Sequence, residues 1–387
     1  MHNDMSLKPV LVLVGTRPEA IKMAPIILRL QQSRLLRPVI CSTGQHKEML
    51  NQALADFNIH PDINLTVMQE EQTLTGLAGR LLLRLEEMLS DVAPACILVQ
   101  GDTTTAYAGA VSGFYTKIPV GHVEAGLRSG DMYAPYPEEF NRRAISLAAT
   151  WHFAPTRGAA NNLLQEGVAA DRVLISGNTV VDALMYMRAV IRQTPPPLPP
   201  VIEDILRANA PYVLITAHRR ENFGQGMEDI CSAIESLAHL HPNCFFIYPV
   251  HLNPQVRKVV EQRLSNLPNV ILTEPCGYRP FLRLLDNCLF VLSDSGGIQE
   301  ESPSFGKRVL VMRDRTERPE GVEAGFCRLV GASKDNIITA AEELFVLSAS
   351  TGLPGANPYG DGNAAERIVT QLEKNLIGKT EAATCPR

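Results

Sequence analysis

Long apolar runs are missing from this chain. No stretch of its 387 residues approaches the ~20 that cross a bilayer, so neither a membrane-spanning helix nor a membrane partner is expected. Met1–Pro9 is polar and leads into an apolar run, Val10–Val14, that stops at Gly15. That is too short for the core of a secretion signal, and the expected compartment is the cytoplasm. Surplus positive charge is missing too: Lys and Arg number 36 against 41 Asp and Glu, a formal net charge of -5. Nucleic acid is therefore not an expected partner, and any anion has to be gripped locally. The eight cysteines (Cys41, Cys96, Cys231, Cys244, Cys276, Cys288, Cys327, Cys385) show no Cys-x-x-Cys pair and no His/Cys cluster at zinc spacing. No metal is expected, and the thiols read as buried small apolar groups in a reducing compartment. No G-x-G-x-x-G follows the first strand-like run and no G-x-x-x-x-G-K-[ST] occurs, so the dinucleotide fingerprint and the P-loop are absent and no cofactor is expected.

What is present is a rhythm. Short runs rich in β-branched residues (Val10–Val14, Pro38–Thr43, Cys96–Gln100, Pro119–Val123, Val173–Ser176, Tyr212–Thr216, Cys244–Val250, Val270–Thr273, Cys288–Ser293, Arg308–Met312) alternate with longer helical patterns. Runs that are apolar throughout fit strands of a parallel sheet covered on both faces, an α/β architecture. The length exceeds what one core of ~250–300 residues holds, so two domains are expected. The segment Thr194–Pro200, TPPPLPP, is a stiff connector that no helix or central strand continues through. The reading is two doubly wound parallel sheets, residues 1–178 and 179–362, with a C-terminal helix at 363–380 packing back on the first domain. Ligands of such sheets sit at the carboxyl ends of the strands, and two such edges would face one interdomain cleft.

The motifs sit at those strand ends. Gly15-Thr16-Arg17-Pro18-Glu19-Ala20-Ile21-Lys22 combines a glycine turn, a helix start and the cations Arg17 and Lys22; it reads as a phosphate seat or as a plain turn with solvated charges. Ser293–Glu301, SDSGGIQEE, puts Ser295, Gly296 and Gly297 where amides approach a diphosphate and Glu301 where a carboxylate takes a ribose; the alternative is a helix capped by Asp294 or Ser295. Asp102, Glu124 and Glu138 come off three successive acidic segments of the first half. Each alone could be a cap or a first-turn charge, but Asp102 and Glu124 would share one cavity if their strands are neighbours. His218-Arg219-Arg220 after a strand suits a pyrophosphate, with His218 donating to a leaving group; a basic surface turn is the alternative, and His251 reads as peripheral.

Together GTRPEAIKMAP, GDTTT, GHVEAGLRSGD, YPEEFNR, GNTVVDAL, TAHRREN, SDSGGIQEE, MRDRTERPE and NPYGDG resemble the non-hydrolysing UDP-N-acetylglucosamine 2-epimerases of bacteria over nearly the whole chain. The resemblance implies a GT-B-like fold of two Rossmann-like domains, a homodimer, and UDP-N-acetylglucosamine (UDP-GlcNAc) as substrate. It implies acid-base roles for Asp102, Glu124 and Glu138, with His218 at the phosphates. Substrate contacts are implied for Arg17, Lys22, Phe281 against uracil, the backbone of Cys276 at the uracil edge, Ser295, Gly296, Gly297, Glu301 and Arg318. A second UDP-GlcNAc as activator would sit near Gln45, Glu138, Arg219 and His251, although Glu48 and Glu71 stand where some members carry glutamine and arginine.

The C2 hydrogen of an N-acetylhexosamine is not acidic, so the implied chemistry is loss of UDP to a glycal followed by re-addition, with neither redox cofactor nor metal. A GT-B glycosyltransferase would share the nucleotide half but would not need three acidic motifs in the first domain. A 2-epimerase of a UDP-diacetamido-uronic acid and a silent nucleotide-sugar sensor are the remaining rivals.

Overall fold

The computed structural model describes residues 7–44, 47–69, 72–316, 318–348 and 355–382. The chain forms two compact units, Met1–Ala183 with Tyr359–Arg387, and Leu184–Pro358. The first crossing therefore falls inside the helix Thr179–Gln193, a few residues past 178, and the second at Pro358–Tyr359, a few residues before 362.

Unit 1 is built on the parallel strands β1 (Lys8–Val14), β2 (Leu36–Ser42), β3 (Ile63–Asn64), β4 (Cys96–Gln100), β5 (Val120–Val123), β6 (Trp151–Ala154) and β7 (Val173–Ile175). They lie in the order β3-β2-β1-β4-β5-β6-β7. Val10–Val14, all of β4 and all of β5 are buried, as expected of strands with helices on both faces. The helix Ala364–Ala382 belongs to this unit. Its first-turn amide at Ala365 is capped at 2.8 Å by the buried Asp182 carboxylate, while Ile368, Val369 and Leu372 are buried along one face. Ser33 Oγ donates to Glu373 at 2.6 Å and Lys8 Nζ to the Leu376 carbonyl at 2.8 Å, fastening the helix to the start of the chain.

Unit 2 repeats the plan with β8 (Tyr212–Thr216), β9 (Phe245–Pro249), β10 (Val270–Thr273), β11 (Val291–Ser293), β12 (Val309–Val311) and β13 (Cys327–Leu329), all parallel, in the order β10-β9-β8-β11-β12-β13. Its core gathers Phe246, Tyr248 and Leu292 from the sheet, Phe290 from just before β11, and Met227, Ile230, Ile234 and Leu237 from the helix Gln225–Leu240. Two of the buried phenols lie deepest, and both are satisfied: Tyr212 donates to the Leu284 carbonyl at 2.6 Å and Tyr248 to the Ala217 carbonyl at 2.9 Å.

Both sheets reverse their strand order, between β1 and β4 in unit 1 and between β8 and β11 in unit 2. At such a reversal the connections leave in opposite directions and open a crevice at the carboxyl ends of the strands. Gly15 and Gly101 follow the strands flanking the first crevice, and Ala217 and Asp294 follow those flanking the second.

Candidate functional site

The turn after β1 does not offer its amides to a ligand. Glu19, three residues after the helix cap Thr16, closes a capping box: its carboxylate accepts from the Gly15 amide at 2.9 Å, the Thr16 amide at 2.6 Å and the Thr16 hydroxyl at 2.8 Å. Its other oxygen accepts from Thr103 Oγ1 at 2.6 Å, so one buried carboxylate ties the β1 turn to the β4 turn. Burial pushes the Glu19 pKa up, against the lowering from its hydrogen bonds to Thr103, Thr16 and Gly15. The phosphate seat that the glycine turn suggested is thus filled by the chain's own anion. Lys22, one turn further along the helix, is ion-paired with Glu124, and Arg17 opens the helix half-buried.

Asp102 and Glu124 do come from neighbouring strands: β4 and β5 pair with Gln100 opposite Val123. Thr103, not Asp102, caps the helix Thr104–Thr116, accepting from the Ala106 amide at 3.1 Å. The Asp102 carboxylate is left for Arg142, whose Nε donates to it at 3.1 Å and whose Nη2 forms an ion pair with it. Asn141 Nδ2 holds the Asp102 carbonyl at 2.8 Å. Glu124 sits at φ 64, a left-handed conformation that costs a residue with a Cβ on the order of 1–2 kcal/mol. Lys22 and Gln100 both bond its carboxylate, and Asn178 Nδ2 lies 3.4 Å from it. Glu138 opens the helix Glu138–Ala148, half-buried, while its neighbour Glu139 is fully buried and accepts from Ser129 N at 3.0 Å, Arg143 Nε at 3.0 Å and Arg142 Nη1 at 3.2 Å.

In unit 2 the buried Asp294 has the part Glu19 has in unit 1. Its Oδ2 accepts from the His218 and Arg219 amides at 2.8 Å each and from Asn222 Nδ2 at 3.1 Å, joining the β8 turn to the β11 turn. The His218 ring stands over the same carboxylate, Nδ1 at 3.6 Å from Oδ1, and stacks on His251 with centroids 5.2 Å apart. Burial lowers the His218 pKa, opposed by Asp294 and reinforced by His251, which favours a neutral ring that donates from one nitrogen. With Asp294 committed elsewhere, Ser295 stands at the cap position of the helix Gly296–Glu301 without a side-chain cap bond. A Cβ on Gly296 would stand 2.7 Å from Arg318 Nη1 and 3.4 Å from Arg219 Nη2, so glycine here lets two guanidinium groups close over the turn. Glu300 fixes one of them, accepting from Arg318 Nε at 2.7 Å; Glu301 ends the helix half-buried. At the carboxyl end of β10 a cavity of about 420 Å³ is lined by Ile271–Cys276, Leu284, Leu198, Pro199, Val201 and Ile202, with Cys276 half-buried; Phe281 lies on the adjoining helix Tyr278–Asn287. The six other described cysteines are buried, each thiol pushed up to about 12.

The structure thus assembles Asp102, Glu124 and Lys22 in unit 1, and His218, Ser295, Gly296 and Arg318 in unit 2. Arg142, Glu19 and Gln100 escape a reading that looks for groups facing substrate, because they face the site residues instead; only the T-x-x-E spacing of Thr16 and Glu19 could have flagged one of them. Gln45, Glu71 and Cys385 lie outside the described residues, as does the side chain of Glu48. No helix among the described residues is long and apolar enough to cross a membrane.

A family model described as UDP-N-acetylglucosamine 2-epimerase matches residues 28–373. The UDP-N-acetylglucosamine 2-epimerase of Neisseria meningitidis serogroup A is 47% identical over 373 residues, covering 95% of this chain and 99% of that protein. The crystal structure of UDP-GlcNAc 2-epimerase from N. meningitidis bound to UDP-GlcNAc matches with a TM-score of 0.84 at 46% identity, covering 95% of this chain and 100% of that one. The Methanocaldococcus jannaschii UDP-GlcNAc 2-epimerase in complex with UDP-GlcNAc and UDP matches with a TM-score of 0.76 at 33% identity, covering 94% and 99%.

The β5 and β6 histidines behind Asp102 and Glu124 give a pH prediction. His122 and His152, opposite each other in register, are buried, and burial is the main cause that lowers their pKa values from 6.5 to about 3 and about 4. The unfolded chain binds a proton on each near 6.5 while the folded chain does not, so their stability contribution is complete above 6.5 and lost as pH falls toward 4. The expected loss approaches ~1.4 kcal/mol per pH unit per histidine. Urea unfolding of His152→Gln between about pH 7 and 5 should show a slope shallower than that of the wild type by up to ~1.4 kcal/mol per pH unit; an unchanged slope would refute the assignment.

Proposed function

The chain belongs to the UDP-N-acetylglucosamine 2-epimerase family, and we propose that it interconverts UDP-GlcNAc and UDP-N-acetylmannosamine without net hydrolysis. Among the rivals, a glycosyltransferase of the same GT-B-like fold would need only the nucleotide half. The observation that carries the epimerase reading is the pair of carboxylates on adjacent strand ends, Asp102 on Arg142 and Glu124 on Lys22, each ion-paired and beyond the register Gln100 to Val123. Two held carboxylates supply what proton removal from one face of C2 and proton delivery to the other require.

In this reading the C1–O bond breaks with both electrons leaving on UDP, positive charge develops on the ring, and a carboxylate takes the C2 proton to give the glycal. A proton then arrives on the opposite face of C2, and the bound UDP oxygen re-forms the bond to C1, so no water is consumed. The departing diphosphate is held by Ser295, Gly296 and Gly297 together with Arg219, Arg318 and a donor from the neutral His218 ring. Glu301 takes the ribose, Phe281 and the Cys276 backbone take the uracil beside the 420 Å³ cavity, and Glu138, Arg17 and Lys22 complete the sugar end. Activation by a second UDP-GlcNAc would act through His251, whose ring stacks on that of His218.

The implied homodimer has a candidate face. The helices Leu74–Val92, Thr104–Thr116 and Glu138–Ala148 pack side by side and expose Leu83, Phe114, Tyr115 and Leu147, the last at 88%. Light scattering should give a dimer for the wild type and a monomer for Leu147→Arg; a monomeric wild type would sink this assignment.

Proton NMR of the protein with UDP-GlcNAc alone in deuterium oxide should show the manno epimer accumulating with deuterium at C2; product without C2 deuterium would contradict the mechanism. Asp102→Asn should keep UDP affinity while lowering turnover ~10²-fold or more. Gly296→Ala should weaken UDP binding at least about tenfold by calorimetry, because its methyl displaces the Arg318 guanidinium that makes a charge-assisted contact; wild-type affinity would show that the diphosphate does not sit on this turn.

A further inference from the structure

The ion pair with Arg142 orients the Asp102 carboxylate but not the peptide from which it projects. Asp102 follows Gly101, which adopts φ 69 and, having no side chain, is the backbone position least able to hold itself in place. We propose that His122 is a positioning residue for Asp102, acting through the Gly101 carbonyl. The inference rests on the epimerase reading of the site, in which Asp102 handles a C2 proton.

Both peptide units that meet at Gly101 are bound to β5. The Gly101 amide donates to the Val123 carbonyl at 3.0 Å, and the Gly101 carbonyl lies 2.7 Å from His122 Nε2. A carbonyl oxygen only accepts, so the His122 proton is on Nε2. The ring is 0% exposed and its Nδ1 has no hydrogen-bond partner, so this one bond is what the buried imidazole makes with its nitrogens. Burying an imidazole for a single bond is costly compared with an apolar residue of the same size, and all of β5 is buried. A pKa near 3 keeps the ring neutral and the Nε2–H donor in place throughout the neutral range. The peptide between Gly101 and Asp102 can turn about its flanking single bonds; the His122 donor stops that rotation at one end, and Asn141, bonded to the Asp102 carbonyl at 2.8 Å, restrains the other. Without the donor the peptide plane tips and the Asp102 carboxylate swings with it.

The test compares two amides of different length. The side-chain nitrogen of glutamine reaches about as far as Nε2, while that of asparagine reaches only as far as Nδ1, so His122→Asn buries the same group without touching Gly101. His122→Gln should keep kcat within about threefold of wild type, whereas His122→Asn should lower kcat and C2 deuterium exchange on the order of 10²-fold, the scale of an ~1 Å misplacement, with KM and UDP affinity unchanged. Wild-type kcat in His122→Asn, an equal fall in His122→Gln, or a loss confined to KM overturns the inference. Nitrogen-15 histidine spectra of the wild type give a readout independent of turnover: a protonated Nε2 and bare Nδ1 on His122 from about pH 5 to 8 is expected, and the opposite tautomer overturns it. A wild type that shows the tautomer but exchanges nothing at C2 overturns the epimerase reading itself, whereas an exchanging wild type matched by His122→Asn overturns this inference alone.

Discussion

Each unit places a buried carboxylate across its strand-order reversal, and the rest of the site hangs on that bridge. Parallel strands leave their carboxyl ends with unpaired backbone amides, and at a reversal the two turns diverge with nothing between them. Glu19 bonds both Gly15 and Thr16 on one side and Thr103 on the other; Asp294 bonds His218 and Arg219 across from its own turn after β11. Such a carboxylate costs several kcal/mol to desolvate, while each hydrogen bond to a charged group returns ~1.5–3. For Glu19 the desolvation outweighs the bonds, since its pKa is raised by burial and not lowered. The Glu19 bridge is therefore a device for geometry: two turns locked at a fixed distance.

The two bridges differ in what they leave over. In unit 1 the bridging acid comes from the helix that follows β1, so it consumes the amides of that turn, and the groups left facing outward are side chains: Asp102, Glu124 and Lys22. In unit 2 the acid comes from the turn after β11 itself and reaches back to the β8 turn, so Ser295, Gly296 and Gly297 keep their turn for another partner. One arrangement suits proton chemistry on carbon and the other suits an anion. The same sheet topology thus yields two kinds of strand-end crevice by the position of one acidic residue.

Most of the sheet architecture is legible in the chain because parallel strands buried on both faces leave unbroken apolar runs, and Cys96–Gln100, Tyr212–Thr216 and Val270–Thr273 coincide with β4, β8 and β10. The strands that escape are those where the run is broken or too brief. β6 carries His152 between Trp151 and Phe153, β13 exposes Arg328 and Leu329, and β3 spans only Ile63–Asn64. The motifs at strand ends are legible as positions. What each residue touches there is less so: a cap role for Asp102 stays open until Thr103 is seen to hold that post, and the Gly15 turn stays open between an anion seat and a plain turn until Glu19 is seen to bond its amides. Both depend on side-chain direction, which spacing alone does not give.

The paired glutamates at the start of the Glu138–Ala148 helix show why. Successive helical residues point ~100° apart, so only one of Glu138 and Glu139 can face the sheet. Glu139 does, fully buried, and its carboxylate is shared among the Ser129 amide, Arg143 and Arg142. Arg142 in turn spans Glu139 and Asp102, so its charge is divided between an anion that anchors the helix and an anion of the proposed active site. A guanidinium held from behind by a buried partner is fixed in position before Asp102 meets it, and its planar fork leaves little freedom to follow a moving carboxylate. Glu139 is thereby the residue that makes Asp102 rigid from the side-chain end, as the Gly101 carbonyl does from the backbone end, while Glu138, about 100° around the helix, stays half-buried and outside this network.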